Sequence, residues 1–255
     1  MKVKLSALAL GITFAYGMTA AMAGEASITQ TGGFSHATID QYNNDGSAVS
    51  ASIVTSGWAN EHSIDQTMSN RVWARVNSPG SLNTAVIEQS RLDYGGAHVY
   101  QAAGGSTVTI NQGAVPNQPA TNGKGKGHGH GHGQGNYTPD GSSQWAFVHQ
   151  NHGWGHDASI IQRGHMVEAK VNQSGYGHEA RVDQRGAGTT FNKANVNQSG
   201  IDQYASVTQN GSNLVANVTQ KGIGHVAMVS MSGNSHTATV VQKGWGNTAT
   251  VNQSN

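Results

Sequence analysis

The sequence predicts an all-β fold, a two-sheet, cross-β-like β-solenoid of about nine strand–turn–strand coils of 22–23 residues. Three observations carry that prediction. A five-residue unit on the pattern Ala-x-(Val/Ile)-x-Gln, with departures at the first or last place in five copies, occurs 18 times. Inside each unit the residue types alternate with period two, the signature of a strand with one covered face. Glycine commonly follows two residues after the closing glutamine, where the chain turns.

Residues 1–23 stand apart from this pattern. Lys2 and Lys4 precede an apolar run from Leu5 to about Tyr16, and Ala21-Met22-Ala23 places small residues before Gly24. Basic, then apolar, then small is the layout of a secretory signal peptide. The run is shorter than the roughly 20 residues that span a bilayer. An exported chain, cut before Gly24, is therefore expected.

The units begin at Ala26. Four coils are expected over residues 24–113, with units closing on Gln30, Gln41, Thr55, Gln66, Ser78, Gln89, Gln101 and Gln112. Five are expected over 144–255, closing on Gln150, Gln162, Gln173, Gln184, Gln198, Gln209, Gln220, Met231, Gln242 and Gln253. The central residue is valine or isoleucine in all 18, and the first is alanine except at His62 and Val108. Glutamine at one fixed phase is informative, because an isolated buried amide is costly. Coils stacked about 4.8 Å apart would place each glutamine over the next and link them in ladders. The fifteen glutamines are thus the candidate self-assembly residues. The pattern runs from directly after the expected cut to Gln253, which predicts a stack open at both ends and a chain that polymerises. Gly164, Gly175, Gly186, Gly200, Gly211, Gly222, Gly233 and Gly244 are the candidate turn glycines, positioned to supply positive φ.

Residues 114–143 break the repeat and hold three of the four prolines (Pro116, Pro119, Pro139). They read as a Gly/His/Pro-rich linker or a loop extruded between coils. His128, His130 and His132 alternate with glycine there and are candidate ligands for Zn, Cu or Ni. The 13 histidines also predict assembly that slows on acidification.

Composition narrows the function. Without Lys2 and Lys4 the chain has 12 basic and 13 acidic residues, a formal charge of −1, with no basic patch for nucleic acid. There is no cysteine, so no disulfide holds an exported chain of this length. Carboxylates such as Glu168, Asp183 and Asp202 are single outward residues, and no catalytic cluster or cofactor motif emerges. Arg181, Arg185 and Lys170 fall on outward or turn positions, and Trp145, Trp154 and Trp245 in or near turns. A calcium-binding solenoid would need aspartate at fixed phase in G-G-x-G-x-D, and ice binding would need ranks of outward threonine. The outward positions are mixed instead, and a monomeric ligand-binding solenoid is the more remote alternative.

Gln242, Gly244, Asn247, Ala249, Val251 and Gln253 fit Q-x-G-x-x-N-x-A-x-(V/I)-x-Q, a template that resembles the curlin repeat of curli fibres. Gln173, Gly175, Ala180, Val182 and Gln184 fit it with His178 in the asparagine place, and His225 and His236 take that place elsewhere. The resemblance covers nearly all of the chain after residue 23, apart from the linker. It implies a functional-amyloid subunit at the cell surface, polymerising with itself and with other curlin subunits. It also implies export through an outer-membrane secretion pore with accessory proteins, and roles in biofilm matrix and adhesion to host or abiotic surfaces. Alanine at the head of both strands of a pair is similar to the minor, nucleating curlin, which implies a nucleator or surface anchor as the alternative role. Nine coils exceed the family's usual handful, and the glycine-rich segment preceding the major subunit's repeats is not seen.

Overall fold

The computed structural model describes residues 2–10, 24–42, 44, 48–113, 141–187 and 190–255. Every regular element among them is a β-strand. β1 (Lys2–Leu10) lies antiparallel against the second half of β2 (Glu25–Tyr42), with Leu5 opposite Ile39. All other pairings are parallel.

β2 supplies both strands of the first coil: Glu25–Gly33 pairs with β3 (Ser50–Trp58) and His36–Tyr42 with β4 (Glu61–Thr67). The remaining strands pair off into seven more coils after β3 and β4. They are β5 (Val72–Ser78) with β6 (Thr84–Ser90), β7 (Leu92–Gln101) with β8 (Thr107–Gly113), and β9 (Gly141–Trp154) with β10 (Asp157–Gly164). Then come β11 (Val167–Tyr176) with β12 (Glu179–Gly186), and β13 (Asn192–Ile201) with β14 (Tyr204–Ser212). β15 (Val215–Ile223) with β16 (Val226–Asn234) and β17 (Thr237–Trp245) with β18 (Thr248–Ser254) complete the solenoid. From β3 onward each strand bonds to the strand two places along the chain, so the odd strands, begun by Glu25–Gly33 of β2, form a first stack and the even strands a second. Because β2 joins both stacks, the hydrogen bonding is continuous through all 18 strands.

Register follows the repeat. Ala169, Val171, Gln173 and Gly175 lie opposite Ala194, Val196, Gln198 and Gly200. In β12, Ala180, Val182 and Gln184 are buried while Arg181 and Arg185 are exposed and Asp183 is half-covered. One continuous core of alanine, valine and isoleucine runs from Ile28 to Val240. Each buried valine or isoleucine contributes roughly 1.5–3 kcal/mol, so even this narrow core adds up over nine coils. Residues 114–140 do not disturb it: β8 still pairs with β10, and β7 with β9. β9 starts at Gly141, where Gly141 and Ser142 pair with Leu92 and Tyr94, so the strand begins inside the segment that sequence pattern assigned to the linker. Backbone pairing extends a strand where the side-chain pattern has already lapsed.

Seven of the eight expected turn glycines have positive φ, from 81° at Gly164 to 144° at Gly211. Gly186 is not among them; it is required because a Cβ there would overlap the carbonyl of His165. Gly200 meets both demands, with φ 131° and the Gly222 carbonyl where its Cβ would stand. Gly224, at φ 65°, has open space around it. We expect Gly200→Ala to lower stability by roughly 2 kcal/mol or more and Gly224→Ala by about 1 kcal/mol, read as shifts in denaturant midpoint. Equal losses would show that stacking clearance does not matter at this turn.

Candidate functional site: the stacked interior

The buried glutamines meet in two ladders. In the second stack the amide Nε2 of Gln41 donates to Oε1 of Gln66 at 2.7 Å, and the same bond repeats to Gln89, Gln112, Gln162, Gln184 and Gln209 at 2.7–3.0 Å. In the first stack it runs from Gln101 through Gln150, Gln173 and Gln198 to Gln220 and Gln242 at 2.9–3.1 Å. Every donor points toward the later coil. The other amide hydrogen crosses to the opposite stack, from Gln66 to the Ser50 carbonyl of its own coil at 3.0 Å and from Gln220 to the Tyr204 carbonyl of the preceding coil at 3.0 Å. One side chain thus ties rung to rung and stack to stack. Gln30 is buried opposite Thr55, while Gln253 donates to the Thr237 carbonyl at 3.2 Å.

Three positions interrupt the ladders, and the chain treats them differently. At Thr55 and Ser78 an asparagine five residues on reaches inward. Asn60 donates to Thr55 Oγ1 at 3.0 Å and Asn83 to Ser78 Oγ at 3.1 Å, while Asn60 Oδ1 accepts the Asn83 N–H at 3.0 Å. At Met231 the gap is filled by a buried thioether, and Gln253 Oε1 beyond it finds no donor. The asparagine substitutes escape the unit pattern, because their place lies in the arc between strands.

That arc is a third buried column. Ser35, Asn60, Asn83, Ser106, His156, His178, Gln203 and His225 follow one another in it, all buried. Nε2 of His156, His178 and His225 lies 3.0 Å from the carbonyl four residues earlier, and so donates. Nδ1 of His225 accepts the Asn247 N–H at 3.1 Å, and Nδ1 of His178 accepts that of Gln203 at 3.4 Å. In both rings each nitrogen is therefore committed, one as donor and the other as acceptor. His156 stacks on His178 with centroids 5.1 Å apart and planes 10° from parallel. Burial pushes both below the ordinary imidazole value, against the pull of the carbonyls of His152 and Ser174. The opposite arc is mostly apolar, with Val49, Val72 and Leu92 clustered and Leu214 buried. His236, equated with His178 and His225 from sequence, lies in this second arc and is half-covered.

His62 replaces alanine inside the second stack, between Ala37 and Ala85. It is fully buried, and neither ring nitrogen finds a well-aligned partner. Burial pushes its pKa down to about 4, with the Glu61 backbone pulling weakly the other way.

Outside, Arg181 pairs with Glu179 at 2.7 Å, Lys170 with Glu168 at 3.5 Å and Arg163 with Asp183 at 4.0 Å. Trp145 lies within β9 rather than at a turn, its ring centroid 6.2 Å from that of Trp73. Trp154 and Trp245 are exposed at strand ends. Among the described residues no three acidic or histidine side chains converge on a metal position, and His128, His130 and His132 lie outside them.

The repeating geometry has a counterpart among known families. Residues 216–244, which span nearly all of β15, β16 and β17, match the family model of the curlin-associated repeat. Over those residues the chain is similar to the curlin-associated repeat. The matched segment holds Gln220, Met231 and Gln242, and its neighbours stack on it residue over residue. Comparison with curated proteins and with solved structures found no match.

Two outcomes follow from the stacked interior. Gln173→Leu strands the Gln150 donor and the Gln198 acceptor, and is expected to cost roughly 2–5 kcal/mol. Asn172→Ala on the exposed face should stay within about 0.5 kcal/mol. Matching denaturant midpoints for the two would remove the ladder as a source of stability. Acid is the second test. His62, His156 and His178 take up protons at higher pH when unfolded, near about 6.5, than when folded. Stability is therefore complete above that value and falls as pH drops through it, with His62 alone accounting for roughly 3 kcal/mol once pH is below its folded value. His62→Ala should flatten the loss between pH 7.5 and 4, and an unchanged slope would exclude this imidazole.

Proposed function

We propose that the chain is a structural subunit of extracellular curli-like fibres, assembling by end-to-end stacking of coils. One observation carries the reading. Coils four and five are separated by residues 114–140, yet their glutamines meet as others do. Gln101 reaches Gln150 at 3.1 Å across 49 residues and Gln112 reaches Gln162 at 2.8 Å across 50, where neighbouring coils elsewhere are 22–25 residues apart. Stacking needs no short covalent link, since lengthening a loop adds little to the closing entropy. A coil from a second copy meets the same alanine, valine and glutamine in the same register.

Because each amide donor points the same way, a copy adds only in the direction that offers its carbonyl oxygens to the donors below. The fibre is polar. Such head-to-tail, non-closing contacts give open filaments. Both the repeat family and the solenoid are structural in kind, and the reading is not enzymatic. Export by the N-terminal signal peptide through an outer-membrane pore, incorporation with other curlin subunits and a place in biofilm matrix and adhesion complete it. Alanine at the head of both strands of most coils favours a second reading, a nucleating or anchoring minor subunit.

Aligned fibres should diffract with a meridional reflection near about 4.7 Å and an equatorial one near about 10 Å. Chains that remain monomeric at high concentration would end the proposal. A trace of the protein that shortens the lag of another curlin identifies the nucleator; an unchanged lag leaves it as bulk subunit.

A further inference from the structure

The outer face of the first stack is uneven. Its first two coils present serines, Ser27, Ser50 and Ser52, and Ser27 Oγ donates to Ser52 Oγ at 3.1 Å. At the third coil the surface steps up to Trp73 and Arg75. Together with Glu25 these residues line a trough of about 460 Å³. Serine forms the floor, an indole and a guanidinium form one wall, and a carboxylate stands on the far rim.

The wall is braced from behind. Trp73 lies across Gly96, where any Cβ would overlap its indole, and its centroid is 6.2 Å from Trp145 and 6.3 Å from Phe147. A ring held this way is an ordered surface and loses little freedom on binding. Arg75 is exposed and makes no ion pair among the described residues. The nearby His98 and His149 are kept toward the neutral form, chiefly by burial. Arg75 is therefore the one uncompensated charge of the trough wall.

We propose that this trough binds an acidic polysaccharide, one uronate-bearing sugar seated with its ring on Trp73 and its carboxylate on Arg75. Indole faces take the C–H side of a pyranose, and the planar guanidinium fork matches a carboxylate with two parallel hydrogen bonds. The serine hydroxyls both donate and accept, as sugar hydroxyls require. Glu25 accepts from a neutral hydroxyl and repels a second close anion. Single-stranded nucleic acid also takes aromatics and cations, but its affinity comes from several phosphates at once. One free guanidinium facing a carboxylate suits a sparsely charged chain better.

The test titrates tetragalacturonate into the full chain, followed by calorimetry and tryptophan fluorescence. Saturable binding is expected, weakened about tenfold or more by Arg75→Gln, a loss near one charge-assisted hydrogen bond. Ser52→Tyr, which fills the floor, should abolish it, with far-UV circular dichroism confirming that both variants keep their strands. Absence of binding overturns the proposal, as does binding that neither variant weakens. Maltotetraose binding as tightly would remove the role of Arg75, and tighter binding of oligo(dT) would assign the face to nucleic acid instead.

Discussion

Parallel, in-register stacking makes every residue the neighbour of its own counterpart one rung away, about 4.8 Å distant. The molecule depends on that constraint. In the interior, only groups that tolerate themselves at that distance can occupy a column. Valine and alanine do so by packing, and glutamine does so because an amide is donor and acceptor in one plane. A carboxylate or an ammonium has no such self-complement in a dry core. On the outer faces water relaxes the rule, and Asp40, Asp65 and Glu88 stand in one column, as do Asp157 and Glu179. Even there repulsion is felt: burial and then Glu179 push the Asp157 carboxyl above its ordinary value, with Arg181 opposing them.

The same constraint explains what could be read from sequence. Residues inside the five-residue units lie on regular strands, so their facing followed from alternation, and Gln150, Gln173 and Gln198 could be placed over one another before any coordinates. The arcs were not legible in this way. Two arcs per coil look alike as spacing, yet one is polar and the other mostly apolar, so His225 and His236 resemble each other in sequence and differ in surroundings. Asn60 and Asn83 belong to the ladder only because their arc folds inward beside a shortened side chain at Thr55 and Ser78. The slot that Gly96 leaves for Trp73 is also invisible to spacing, since it joins two coils through the absence of a side chain. Residues 114–140 lie outside the described structure, and the pairing of the coils on either side is the part of that region the fold defines.

The placing of the interruptions bears on cooperativity. Thr55 and Ser78 break the first stack at coils two and three, where the second stack keeps Gln41 to Gln66, Gln66 to Gln89 and Gln89 to Gln112. Met231 breaks the second stack at coil eight, where the first keeps Gln198 to Gln220 and Gln220 to Gln242. Coils four to seven carry both rungs at every joint. No joint between adjacent coils therefore lacks an amide link. In a quasi-one-dimensional stack each coil is stabilised only through its neighbours, so a joint with neither rung would divide the solenoid into two weakly coupled blocks. Staggering the breaks lets individual glutamines be lost while the chain still behaves as one continuous stack.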